Sequence, residues 1–268
     1  MFTIFIYSLA GGMLAVTATG RPDQIAWRFL RLVGCLVLAM VSLVTVWSIV
    51  HGGAVVSGRA AWSLRLGMVA AAAAVTVVLA APFAASLSRV FRGVCAFGGA
   101  CGIGAGVLPC LGLLGDAPRH VTVLMLLVAA QTLSALFVGS ITVAWLLGHA
   151  YLTATRMTIA PLDHFGRVLG WMVGTRLVFV LGSLALALLL GGTGESSVAR
   201  HLAESWMVAL LRIGVGLGAV AVFAYMVRAC IRLRATQSAT GILYFGSVFA
   251  YVGELANQYL IAQCGWPI

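Results

Sequence analysis

Residues 241–263 read GILYFGSVFAYVGELANQYLIAQ. The stretch is long and apolar enough to cross a bilayer, for which about 20 residues suffice. Yet Glu254 stands inside it, followed by Asn257 and Gln258. A carboxylate at membrane depth costs a few kcal/mol or more, so it needs a partner, a proton or a water-filled cavity. The rest of the chain must therefore be read for a bundle able to bury this position.

The chain has 268 residues, 62% hydrophobic and only 8% charged, and apolar runs recur along its whole length. No soluble core needs that much apolar surface. The alternation of a transmembrane β-barrel is absent. The pattern predicts an all-α, polytopic membrane bundle, a single transmembrane domain over 1–268, with eight spans near 1–18, 26–50, 61–83, 93–114, 120–147, 167–191, 205–228 and 240–263. Connections are short, so consecutive spans should be antiparallel neighbours.

Every one of the 16 basic residues is Arg, and the net charge is +10. In a soluble protein this excess would point to nucleic acid; here it points to loops that face an anionic leaflet, and no nucleic-acid partner is expected. One side of the eight-span topology collects Arg21, Arg28, Arg31, Arg89, Arg92, Arg156, Arg167, Arg228, Arg232 and Arg234. The other collects only Arg59, Arg65, Arg119 and Arg200. The bias puts the first side in the cytoplasm and both termini in the periplasm of a bacterial inner membrane. The seven tryptophans, Trp27, Trp47, Trp62, Trp145, Trp171, Trp206 and Trp266, fall near predicted span ends, where indoles favour the interface. The opening MFTIFIYSLAGGMLAV lacks a basic n-region and reads as a retained helix.

The six cysteines include no C-x-x-C pair and mostly lie in apolar runs, so they read as small hydrophobes and not as a metal site or disulfide framework. The histidines, His51, His120, His149, His164 and His201, lie at or beyond span ends, which disfavours a transmembrane haem. No P-loop, G-x-S-x-G or H-E-x-x-H is present, so an independent hydrolase is not expected. Two glycine-rich stretches stand out. Gly98, Gly102 and Gly106 precede Pro109 in the fourth span, and Gly214, Gly216 and Gly218 lie in the seventh. Both read first as close helix packing and second as a place for a flat ligand. Pro109 should bend the fourth span. The longest polar stretch, 148–171, holds His149, Arg156, Asp163, His164 and Arg167 and reads as a basic loop.

Depth arithmetic ties the charged residues together. At ~1.5 Å of rise per residue, Glu254 lies ~21 Å from the cytoplasmic start of its span and Arg212 ~20 Å from the same side on the preceding span. A Glu254–Arg212 pair is expected, with Arg176 of the sixth span reaching toward it. Gln131 and Thr132 fall near mid-membrane, and Gln258 shares the face of Glu254 one turn on. The functional reading is a polar pocket in the outer half of the bundle. Glu254 would exchange protons there, and Arg212, Arg176, Gln258, Asn257 and Gln131 would surround a quinone. The plain alternative is a buried ion pair that sets helix register.

Eight spans, outward termini, no haem ligands and the late run Gly253, Glu254, Leu255, Ala256, Asn257, Gln258, Tyr259, Leu260 resemble the membrane anchor subunits of dimethyl sulfoxide reductase-type and polysulfide reductase-type complexes. The anchors' pattern resembles G-E-L-x-x-R-Y-L; this chain departs from it at Gln258, where the family has Arg. The likeness implies a haem-free subunit that exchanges electrons with quinol through an attached iron–sulfur or cytochrome partner and is not catalytic alone. A proton-coupled small-solute transporter and a purely structural scaffold are the competing readings.

Overall fold

The computed structural model describes residues 1–51, 58–112, 121–153, 158–190 and 204–266. All of its regular structure among these is helical. Eight helices follow in chain order: α1 Phe2–Thr17, α2 Trp27–His51, α3 Arg59–Ala80, α4 Ser88–Gly112, α5 Val121–Thr153, α6 Ala160–Leu190, α7 Trp206–Arg232 and α8 Thr236–Cys264. A single 3-10 turn, Ala81–Phe83, closes α3 around Pro82. Seven of the eight, α2 to α8, are long and apolar enough to cross a membrane. Their outward faces carry large apolar side chains such as Leu43, Leu79, Val178, Tyr225 and Phe245. The molecule is a multi-pass helical membrane protein.

The first predicted span differs from the rest. α1 has 16 residues, ~24 Å at helical rise, which is short of a ~30 Å hydrocarbon layer. Eleven of them are buried, so the helix is wrapped by others and shows little surface to lipid. Small residues let this happen, since van der Waals contact replaces the hydrophobic drive that lipid removes. A Cβ placed on Gly11 would lie 2.4 Å from the Ile103 nitrogen, and one on Gly12 would lie 1.8 Å from the Ala135 carbonyl oxygen. α1 therefore lies backbone against backbone with both α4 and α5. Two of the fourth-span glycines serve that packing, while Gly98 lets α4 approach α3. Gly98 faces Ala73, Gly102 faces Gly11 and Gly106 faces Ser8, each too closely for a side chain.

Pro109 lies inside α4, which continues to Gly112. Proline leaves the carbonyl four residues earlier, Ala105, without its helical donor. Ser63 of α3 supplies one, its hydroxyl donating to the Ala105 oxygen at 2.6 Å.

Helix ends depart from hydropathy. The polar stretch 148–171 is mostly helix: α5 runs on to Thr153 and α6 starts at Ala160, with 154–157, including Arg156, outside the described residues. His120, His201, Arg119 and Arg200 also fall outside them. Consequently Trp145 and Trp171 are not end residues. Trp145 sits among the helices, its indole N–H donating to the Tyr251 hydroxyl at 3.3 Å. Trp171 lies eleven residues into α6 and faces outward. α8 ends as its sequence asks. Gly265 takes the left-handed C-cap conformation (φ 65°) and its N–H closes onto the Ile261 carbonyl at 2.8 Å.

Candidate functional site: a buried Arg–Glu–Arg cluster

Four helices, α5 to α8, bring polar groups to one place. Arg176 of α6, Arg212 of α7 and Glu254 of α8 are respectively 0%, 0% and 1% exposed. Arg212 donates through Nη1 to Glu254 Oε1 at 2.6 Å. Arg176 Nη2 stands 3.5 Å from the same oxygen. The expected Glu254–Arg212 pair is present, and Arg176 reaches it from the third side. The second carboxylate oxygen, Oε2, accepts from the Ser134 hydroxyl at 2.5 Å and from Asn257 Nδ2 at 3.3 Å. Ser134 in turn accepts from Arg176 Nη2 at 2.7 Å, and Arg176 Nη1 donates to the Ala130 carbonyl at 2.8 Å. Ser134 is thus the hub that joins α5 to the charges.

Local structure explains how α7 and α8 come so close. Residues Leu211–Ala219 of α7 form a π-helical segment that contains Arg212 and three glycines. π segments are rare, occur mostly as bulges inside α-helices and are frequent at functional sites. Gly216, four residues past Arg212, meets Gly253, the neighbour of Glu254. A Cβ on Gly216 would sit 2.4 Å from the Gly253 Cα. The two helices cross there without side chains between them. Gly214 and Gly218 do not share this role, since a Cβ on either would meet only atoms of α7 itself, Leu210 and Ile213. The close packing expected of all three seventh-span glycines holds for Gly216 alone.

The charge balance is uneven. Two guanidiniums surround one carboxylate, so with all three ionised the cluster carries one excess positive charge inside an apolar bundle. Several hydrogen-bonding atoms on these helices are buried with no partner among the described residues: Arg176 Nε, Asn257 Oδ1 and Gln258 Oε1. Gln258 is 2% exposed and lies on α8 one turn beyond Glu254. Gln131, the remaining expected pocket residue, is buried on α5, but its amide nitrogen donates to Ser8 of α1 at 2.8 Å and its Oε1 has no partner. It belongs to the α1–α5 seam. Thr132, its neighbour, bonds its own helix at the Val128 carbonyl. Ser134 was missed by sequence reasoning. It sits three residues past Gln131 at comparable depth, which is the one signal that could have found it.

Toward the arginine-rich end, the α5–α8 seam stays polar. The Tyr251 hydroxyl lies 2.7 Å from Thr142 Oγ1, and the Tyr244 hydroxyl lies 3.2 Å from His149 Nδ1. The Trp145 and Tyr244 rings pack at 4.9 Å between them. Among the described residues no three His, Cys, Asp or Glu side chains gather as a metal site.

No protein-family model matches this chain, and a search of curated proteins finds no relative. Fold and site define it as a multi-pass helical membrane protein with a net-positive charged cluster in its core.

Proposed function

We propose that this chain is a subunit of an electron-transfer complex in a bacterial inner membrane, with both termini periplasmic, and that the Arg176–Glu254–Arg212 cluster borders a quinone site. The observation that carries this reading is a fully buried, net-positive cluster with unsatisfied hydrogen-bonding atoms beside it. Buried polar groups are ordinarily paired, so orphans beside a charged cluster call for a polar occupant.

The residues fit a quinone head group. Its carbonyls need donors, which Arg176 Nε offers, and quinol hydroxyls need acceptors, which Asn257 Oδ1 and Gln258 Oε1 offer. When bound, the quinone supplies the two-electron, two-proton couple. Glu254 would then be the group that exchanges the protons, and the surplus guanidinium charge would favour the electron-rich form of the ring. The Thr142–Tyr251 and His149–Tyr244 contacts line a polar seam between Glu254 and the arginine-rich end along which protons can move. The chain is not catalytic by itself in this reading; an iron–sulfur or cytochrome partner carries the electrons.

The test is gentle purification from the native membrane, with the co-purifying proteins identified and bound quinone extracted and quantified. A quinone in near one-to-one ratio, lost in Arg176→Met, is the expected result. A protein that travels alone, holds no quinone and gains no thermal stability from added quinone overturns the proposal and leaves a solute carrier with Glu254 as its coupling carboxylate.

A further inference from the structure

A set of clefts lies at the arginine-rich end, away from the charged cluster. The segment after α1 folds beside the starts of α4 and α6. There it encloses a cleft of about 420 Å³ lined by Thr19, Arg21, Gln24, Arg92, His164 and Arg167, among others, and by no carboxylate. The start of α6, at Ala160 and Pro161, also lines it, and a helix N-terminus favours anions. The arginines differ in how they are held. Arg167 pairs with Asp163 at 3.3 Å, Arg92 is fixed through Nε to the Ala18 carbonyl at 2.8 Å, and Arg21 has neither an ion pair nor a hydrogen bond of its side chain among the described residues.

This cleft does not end at the polar residues. Arg92 also lines a neighbouring cleft with Arg89, Ala18, Gly93 and Ala96. Gly93 in turn lines an apolar groove of about 490 Å³ between α3 and α4, walled by Val69, Ala73, Thr76, Val90, Val94 and Phe97. From Thr76 to Val69 the groove follows α3 into the membrane for about 10 Å. A cationic cleft at the surface thus adjoins, through the cleft at Arg92 and Gly93, an apolar trough on the lipid-facing side. Free phosphate would use only the first part. A lipid with an anionic head group uses both.

We propose that this continuous surface is a binding site for an anionic phospholipid. The phosphate sits among Arg21, Arg92 and Arg167, and an acyl chain lies along the α3–α4 groove. Basic pockets between transmembrane helices recognise such head groups by charge.

Gly93 supplies a clean test, because a Cβ there meets nothing within 4 Å. Gly93→Leu is therefore compatible with the fold yet puts a side chain where the middle cleft meets the apolar groove. The intact protein, delipidated in detergent, is titrated with phosphatidylglycerol or phosphatidylcholine and followed by native mass spectrometry and thermal unfolding. Phosphatidylglycerol should be retained and should raise the unfolding temperature, and phosphatidylcholine should do so at least ten-fold more weakly. Arg21→Gln should weaken phosphatidylglycerol binding about ten-fold, Gly93→Leu should abolish the preference, and both variants should unfold like the parent without lipid. Equal binding of the two lipids overturns the proposal, as does indifference to both variants. Competition by millimolar inorganic phosphate or glycerol phosphate, with Gly93→Leu silent, also overturns it by identifying a soluble-anion site.

Discussion

Replacing Glu254 by Gln should be far more damaging than removing Arg176, although both delete one member of the same cluster. Glu254 Oε1 lies 2.6 Å from Arg212 and 3.5 Å from Arg176. At an effective dielectric of about 20, these contacts are worth on the order of 6 and 5 kcal/mol of attraction. Each buried ion loses several kcal/mol of hydration, so the three-ion cluster is near balance only while the carboxylate is present. Glu254→Gln keeps the volume but leaves two guanidiniums with no counter-charge, and should destabilise the fold by about 3–5 kcal/mol. Arg176→Met leaves the 2.6 Å Arg212–Glu254 pair intact and electrically neutral. It removes hydrogen bonds to Ser134 and Ala130, for which about 1–2 kcal/mol is expected. The double variant Glu254→Gln/Arg176→Met retains one buried cation in place of two and should be more stable than Glu254→Gln alone. The assay is reversible denaturant unfolding in mixed micelles for all three variants. The reasoning fails if Glu254→Gln lies within 1 kcal/mol of the parent, or if adding Arg176→Met makes it worse.

Three further outcomes follow from individual contacts, each read by the same unfolding assay. Gly216→Ala should cost about 1–3 kcal/mol, because its Cβ would lie 2.4 Å from the Gly253 backbone, whereas Gly214→Ala, with only its own helix nearby, should be neutral or mildly stabilising. Comparable losses in the two variants would mean that the α7–α8 crossing does not sit where Gly216 and Gly253 meet. Ser63→Ala should cost about 1–3 kcal/mol by stripping the Ala105 carbonyl of its donor, and Pro109→Ala should recover part of that by restoring a helical N–H. Independence of the two effects would refute the pairing. Ser134→Ala should cost about 1.5–3 kcal/mol, since its hydroxyl bonds both Arg176 and Glu254; a loss below 0.5 kcal/mol would show that it is not the hub.

The helical membrane class was legible because hydropathy reads length and apolarity directly, and both are local. The Glu254–Arg212 pair was legible for a related reason. Two charged residues at matching depth on consecutive antiparallel helices have few other places to go. Ser134 was not, because a membrane serine or threonine most often bonds the carbonyl of its own preceding turn, as Thr132, Thr142 and Thr175 do here. Only its place three residues past Gln131, at comparable depth, marked Ser134 as the exception. The true ends of α5 and α6 were hidden because hydropathy reports where apolarity stops, not where hydrogen-bonded turns stop. The setting of α1 is not legible in its sequence, because composition does not separate a helix wrapped by protein from one wrapped by lipid. Gly11 and Gly12, which allow its two backbone contacts, were the available hint.

The placement of the glycines bears on access to the cluster. Gly253 precedes Glu254 directly and Gly216 lies four residues after Arg212, so the backbone crossing and the ion pair fix each other. The close approach sets the depth at which Arg212 meets the carboxylate, and the pair in turn holds a π segment that glycine-rich backbone alone would not favour. At that crossing the α7–α8 seam is shut. Around the cluster, the atoms without a partner among the described residues are Arg176 Nε on α6 and the Asn257 and Gln258 oxygens on the turn of α8 beyond Glu254. An occupant of the proposed site would therefore have to approach from the α6 side or from the α8 turn beyond the crossing, and not between α7 and α8 at the level of the glycines. A bulky residue at position 253 should then destroy the fold, whereas Gln258→Leu should leave the fold intact and abolish quinone binding at the proposed site.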